Sequence, residues 1–248
     1  MHLHIVVPTI LSQPQYEVEN VELLSKQFTN LELEHTLYFV SNVPDPVFDA
    51  IKFNSPNVRK SVSNLNFSIS RALNSIFESI DFEDNDVLGF IQTDCRFGNK
   101  KWIKYYLDIL FDEKYNAGVL GQRPHLRCNV VELQEVYNDL FSFFRAFWTD
   151  GTMLFKGSTL RKVGFFDENY FGDCESQDFC YRVHEAGFTN YWISDNESFF
   201  KYQHKSVNFG GKAKKNHREF LDKVDKSRKY FDSKWRQFEL DNMGKTSW

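Results

Sequence analysis

Glycine is missing where a phosphate loop would need it. Between Pro8 and Pro14, just after the first apolar run, the chain has none, which argues against a nucleotidyltransferase built on a Gly-rich turn. Cysteine is scarce too. Cys95, Cys128, Cys174 and Cys180 are the only four, and no two form a Cys-x-x-Cys pair. Such scatter is poor zinc spacing and no disulfide framework, so free thiols in a reducing compartment are expected. No apolar run approaches the roughly 20 residues that cross a bilayer. Met1 to Val7 is short, carries two histidines and leads straight into Pro8, so no signal peptide is expected and a cytoplasmic setting is. A net charge of −4 over 248 residues argues against a chain given over to nucleic acid. Internal repeats and low-complexity linkers are absent.

What the chain does have is apolar mass, with 26 phenylalanines and 42% hydrophobic residues, enough for one large α/β domain. Leu3 to Val7 is too short for a helix and ends at Pro8-Thr9, as a buried parallel strand does. Val18, Val21, Leu24 and Phe28 mark a helix face. Leu33 to Val40 is β-rich and stops at the turn cluster Ser41 to Pro46. Val58 to Val62 fits a short strand, Phe67 to Ile80 a helix, Val87 to Ile91 a strand, and Trp102 to Phe111 a helix. Strand–helix alternation of this kind predicts a mostly parallel sheet with crossover helices. Ligands of such sheets sit at the carboxyl ends of the strands. That rule puts Pro8, Thr9, Asn42 to Asp45 and Asp94 along one rim.

Farther on, Ala117 to Gln122 fits a strand. The aromatic run Tyr137 to Trp148 is expected to be a helix packed on the sheet. Residues 154–164 read as strand, turn and short helix. An acidic loop then leads into an amphipathic helix with Phe179, Arg182, Val183 and Ala186 at helical spacing, stopped by Gly187. Asp173, Glu175 and Asp178 crowd the loop-to-helix junction. Like charges repel unless a cation, a partner or a substrate hydroxyl uses them. Carboxylates at a helix N-terminus also serve as caps, so composition alone leaves both readings open.

The order of residues adds to this. Gly164-Phe165-Phe166-Asp167-Glu168, then Phe171, Glu175-x-x-Asp178, Arg182 and Ala186-Gly187-Phe188 resembles a signature of the family-2-like glycosyltransferases with a GT-A fold. Val6-Val7-Pro8-Thr9 looks like that family's first strand beside the nucleotide base. Asn66-x-Ser68 and Asn74 look like its N-x-G…N segment, with Ser68 where Gly is usual. Asp94 looks like the last acid of its D-x-D motif, although Gln92 stands where the other acid would be. His204 with Ser206 looks like its H…S ending.

The resemblance implies a nucleotide-sugar donor, bound by Pro8, Thr9, Asn42, Asn66, Arg71 and Asp94. It also implies a divalent cation, Mn²⁺ or Mg²⁺, on Asp94 and His204. Imidazole with carboxylate suits manganese and tolerates magnesium. Such a cation would neutralise the leaving diphosphate. The reaction implied is an inverting transfer of a hexose or pentose to an acceptor hydroxyl on a small molecule, a glycan or a polyanion such as DNA. The family's base follows the motif Glu, and here that position is Ser176, which cannot take a proton at neutral pH. The role falls to Asp178, narrowly preferred, or to Glu175, with Asp173 reachable if the loop is displaced. Arg182 is expected to hold the loop by a charge-assisted bond. Trp148 and Asp150 are placed on the acceptor side. The alternative is a sugar-nucleotide-binding or scaffold protein without catalysis, favoured by Ser176 and by the lone acid at Asp94.

The last stretch changes character. Lys201 to Tyr230 holds eight Lys and two Arg against one Glu and two Asp, a local net charge of +7 in a chain whose total is −4. A helix over Lys212 to Phe231 is expected, with Phe220, Leu221 and Val224 inward and Phe231, Trp235, Phe238 and Leu240 following. Its charged face could be solvated, could cover the diphosphate through Lys205, Lys212, Lys214 or Lys215, or could dock a polyanion. The division expected is a GT-A-like domain over residues 1–208 and a basic helical extension over 209–248.

Overall fold

The computed structural model describes residues 1–9, 11, 14–41, 44–63, 68–93, 95, 97, 102–123, 130–137, 141–193 and 217–244. The first half alternates as the sequence predicts, with one short helix at residues 46–50 beyond those expected. β1 (Leu3–Thr9), α1 (Pro14–Asn30), β2 (His35–Ser41), α2 (Pro46–Ala50), β3 (Val58–Val62), α3 (Ile69–Phe77), β4 (Val87–Ile91) and α4 (Trp102–Phe111) follow in turn. Helix starts carry their expected chemistry. The Asp45 carboxylate accepts from Val47 N at 2.8 Å ahead of Pro46, and the Ser68 hydroxyl accepts from Arg71 N. These satisfy amide groups that have no partner within the helix.

β5 (Ala117–Arg123), β6 (Val130–Tyr137), β7 (Phe141–Ala146), β8 (Asp150–Lys156), α5 (Gly157–Val163), α6 (Glu175–Glu185), β9 (Thr189–Ile193) and α7 (His217–Met243) complete the described chain. The strands form one sheet in the order β3-β2-β1-β4-β8-β5-β9-β7-β6. β3, β2, β1 and β4 pair in parallel. β8 runs against both β4 and β5, β9 runs with β5, and β7 runs against β9 and β6. All described strands but β7 and β8 therefore point one way, giving the mixed, mostly parallel sheet expected.

Alternation along the strands builds two cores. Leu3, Ile5 and Val7 of β1, Leu37 and Phe39 of β2, and Val87 and Ile91 of β4 face α1 and α4. Val6, Tyr38, Val40, Leu88 and Phe90 face the other way, into a cluster with α3, α6 and α7 residues. These central strands are apolar on both faces because helices cover both.

Two expectations are corrected. Tyr137 to Trp148 is not a helix, since Tyr137 ends β6 and residues 141–146 form β7. Here the side chains alternate. Phe143 is buried in the first core, whereas the half-buried Phe144 stacks on Trp192 with ring centroids 4.8 Å apart. A period of two suits a strand, and a helix would have needed a stripe every three to four residues. In α7, Leu221 is 49% exposed rather than inward, while Val224, Phe231 and Trp235 are buried. The helix also extends to Met243, beyond the expected stop at Phe231.

Candidate functional site

The chain leaves β1 for β2 and β3 on one side, then returns to β4 on the other. Such a reversal opens a crevice at the carboxyl ends of the strands, where open α/β sheets hold their ligands. Thr9 ends β1 level with Ser41 at the end of β2. Pro8 is half-buried there and Thr9 is buried. The Thr9 hydroxyl donates to Glu17 and accepts from Leu11 N, so it fixes the turn out of β1. At the end of β4, the Asn20 amide donates to the carbonyls of Thr93 at 3.0 Å and Cys95 at 2.8 Å, gripping the backbone on both sides of position 94. The buried Asn20 Oδ1 has no partner among the described residues. Asn42, Asn66, Asp94 and His204 lie outside the described residues, as do Lys205, Lys212, Lys214 and Lys215. Arg71 lies in the first turn of α3 with Nε 3.5 Å from a Glu168 oxygen, both side chains being partly exposed. Among the described residues no three His, Cys, Asp or Glu side chains group to hold a metal.

β8 begins at this same end, because it runs against β4. Gln92 N donates to Gly151 O at 3.1 Å, which sets Asp150 at the rim beside the β4 exit. The pairing of β8 with β5 is irregular here, stepping from Gly121 opposite Met153 to Arg123 opposite Asp150. Gly151 has φ of 81°, a backbone state that L side chains disfavour. A bulge with such a glycine re-aims the neighbouring side chain.

Across from β8 stands the head of α6. Cys174, the residue before its first turn, is held at φ of 73° and offers no side-chain cap. Strained backbone of this kind persists only where the surroundings impose it. Four carboxylates gather here, and each has a different environment. Asp178 is fully buried. Its Oδ1 accepts from Tyr170 OH at 3.2 Å, Trp235 Nε1 at 2.8 Å and Lys234 Nζ at 2.7 Å, and its Oδ2 from Arg182 Nε at 2.9 Å. Asp173 Oδ2 lies 2.7 Å from both Nε and a terminal nitrogen of Arg228, and its Oδ1 accepts from Cys174 N. Glu175 is 5% exposed, with Oε2 lacking any partner among the described residues. Burial pushes its carboxyl up to about 8, and the charges of Asp150 and Asp173 push the same way. Asp150 is half-buried and accepts from the Ser176 hydroxyl at 3.1 Å. Buried carboxyls beside like charges stay protonated near neutral pH, so Glu175 is held in its neutral form.

The acidic loop is pinned from both sides. Arg182 donates to the carbonyls of Val163 and Phe165 at 2.7 and 2.9 Å, the holding role expected of it. Asn74 of α3 bonds both the N–H and the C=O of Phe166. From α7, Tyr230 and Lys234 reach Asp167 and Ser227 brackets Phe171. Burial alone would raise the Asp167 carboxyl, but Asn169 N, Tyr230 and Lys234 outweigh it and hold it below the usual range. Tyr170 is raised by burial and then by Asp178. The sequence does not show the α7 contacts, which join residues 55 to 67 positions apart. Its one signal is the spacing of Ser227, Arg228, Phe231, Lys234, Trp235 and Phe238, a helix face that mixes cations with aromatics.

Solved structures share this fold. A mutant of Drosophila β1,4-galactosyltransferase 7, in complex with manganese, UDP-Gal and xylobiose, is matched over 85% of this chain and 74% of its own, with TM-score 0.53 and 12% identity. Residues 1–349 of S. aureus TarS match over 99% and 76%, with TM-score 0.56 and 16% identity. The Pyrobaculum calidifontis mannosyltransferase PcManGT, in complex with GDP-Man and Mn²⁺, matches over 83% and 58%, with TM-score 0.58 and 14% identity. The fold is GT-A. No family model matches the sequence, and no curated protein matches it. In GT-A terms, the β1/β4 crevice and the head of α6 lie at the same end of the sheet. No helix among the described residues is long and apolar enough to cross a membrane.

Proposed function

We propose that the protein is a glycosyltransferase that moves a sugar from a nucleoside-diphosphate donor to an acceptor hydroxyl, with inversion at the anomeric carbon. The observation that carries this reading is the buried Glu175 carboxyl, which keeps an oxygen without a partner among the described residues, beside Asp150 at the crevice end of a GT-A sheet. A buried polar atom without a partner costs roughly 1–3 kcal/mol, and a substrate hydroxyl would satisfy it. Two of the neighbours named above were solved with UDP-Gal and xylobiose or with GDP-Man, which supports a nucleotide-sugar donor and a sugar hydroxyl as acceptor.

Pro8 and Thr9 are assigned to the base end of the donor crevice, and Arg71, paired with Glu168, to the donor; Asn42 and Asn66 are assigned to the donor by the resemblance alone. Asp94 and His204 would hold a divalent cation, Mn²⁺ or Mg²⁺, whose charge eases departure of the diphosphate. An oxygen and an imidazole suit either ion. The grip of Asn20 on both sides of position 94, with its own Oδ1 lacking a partner among the described residues, fits a polar ligand there. Of the two carboxylates expected to be catalytic, Glu175 is assigned to the acceptor. Asp178, enclosed by four donors, is assigned to joining α6 and α7. Arg228 and Lys234 are occupied by Asp173, Asp167 and Asp178, which favours a sugar acceptor over a polyanion docked on this face of α7.

The test is a thermal-shift panel of UDP, GDP, UDP-sugars and GDP-mannose with and without Mn²⁺. A ligand that binds only the native state raises the melting temperature by mass action. A metal-dependent rise with one nucleotide is expected. No rise with any of them sinks the donor-site reading. A rise without any sugar release favours a binding protein that has lost catalysis.

A further inference from the structure

We propose that Asp150 is the general base that takes the proton of the acceptor hydroxyl, oriented for that task by the hydroxyl of Ser176. The inference rests on the glycosyl-transfer reading and deepens it. A base must be ionised, reachable and aimed at its proton. Four other described carboxylates at this end of the sheet each fail one of these conditions. Asp178 is fully buried with four donors around it. Asp173 is held by the Arg228 guanidinium and caps the amide of Cys174. Glu17 is buried and takes the Thr9 hydroxyl. Glu175 is buried where its protonated form is favoured.

Asp150 differs from all of these. It comes from the sheet rather than the acidic loop, it is half-buried, and it sits at the rim next to the exit of β4. The β8 irregularity and the left-handed Gly151 set its direction. Ser176, in the first turn of α6, donates to its Oδ1 at 3.1 Å, which ties the carboxylate to the helix whose Glu175 awaits the acceptor. Ser176 itself holds its proton at neutral pH, yet the acid it cannot be lies one hydrogen bond away. The strand that faces the helix supplies the acid that Ser176 is not.

The step balances. The acceptor O–H bond breaks as that oxygen bonds to the anomeric carbon. The proton passes to the Asp150 carboxylate. The bond from the anomeric carbon to the diphosphate oxygen breaks, and its electron pair leaves with the diphosphate.

The experiment measures nucleoside diphosphate release from UDP-galactose, UDP-glucose, UDP-N-acetylglucosamine and GDP-mannose with Mn²⁺, to water and to a panel of methyl glycosides. Asp150→Asn is expected to lower kcat about a hundredfold or more while leaving the UDP- or GDP-induced thermal shift unchanged. Ser176→Ala, which keeps the charge but loses its orientation, is expected to lower kcat about tenfold. The exchanged pair Asp150→Ser with Ser176→Asp is expected to recover at least tenfold over Asp150→Ser alone. Asp150→Asn within threefold of wild-type turnover overturns this assignment and leaves glycosyl transfer standing. Absence of release from every donor by the wild-type chain overturns both. If Asp150→Asn does not fold, the exchanged pair decides: recovery supports the assignment, and no recovery overturns it.

Discussion

Glu175 occupies the first turn of α6, where a carboxylate usually gains from the helix dipole. Burial reverses that gain and raises its pKa from 4.5 to about 8. The sign of the consequence follows from proton counting. Between pH 4.5 and about 8 the folded chain keeps a proton on Glu175 that the unfolded chain has lost, so stability falls as pH rises through that window. Glu175→Gln removes the group and mimics its neutral form. The variant is expected to lose less stability than wild type between pH 5 and 8, and to melt several degrees higher at pH 8. Melting curves at both pH values check this, and parallel slopes for the two proteins refute the protonated state. Glu175 and Asp178 are both visible in the sequence as part of an acidic cluster. Their division of labour is not, because burial and donors depend on what packs around α6. Asp150 is hidden for a further reason. Its partner Ser176 is 26 positions away, and only the antiparallel entry of β8 beside β4 brings the two together.

α6 and α7 meet through one buried polar cluster and a stack of rings. Tyr181 packs on Phe231, Trp235 and Phe238 and donates to Glu239 at 2.9 Å. Asp178 sits among Tyr170, Arg182, Lys234 and Trp235. Removing one partner of a buried ion pair leaves the other charge uncompensated, at a cost of about 3–5 kcal/mol. For a chain of this size each kcal/mol shifts the melting temperature by roughly 2–4 °C. Asp178→Asn is therefore expected to lower the melting temperature on the order of 10 °C. Its kcat per folded molecule should fall far less than that of Asp150→Asn. Calorimetry paired with turnover checks the two halves, and a stable variant with lost turnover returns the base to Asp178. The aromatic spacing of α7 marks an amphipathic helix from sequence, but its inward face was expected to include Leu221, which is exposed. Its cations belong to that face because carboxylates on the opposing loop receive them.

At the scale of the whole molecule, α7 does not stand apart from the sheet. Phe231 and Trp235 belong to the same cluster as Val6, Leu88, Phe90 and Phe155 from the central strands. The basic helical extension expected over 209–248 contributes Phe231 and Trp235 of its described helix to the second core. Elements that share a core unfold together in small two-state proteins. Unfolding in urea followed by tryptophan fluorescence and by far-ultraviolet circular dichroism should give coincident transitions. A separate early transition reporting on Trp235 would show α7 to be an independent unit.

The sequence by itself determined the strand and helix order of the first 112 residues apart from the short α2, the acidic loop, and the rim where β1, β2 and β4 end. Those features follow from local periodicity, turn residues and the rule that parallel strands expose their carboxyl ends to ligands. Only the tertiary structure decided that the aromatic run after residue 140 pairs as β7. It also decided that Asp178 is consumed by α7 and that Asp150 stands against Ser176. Each of these depends on contacts between residues distant in the chain, where burial and charge pairing outweigh local preference.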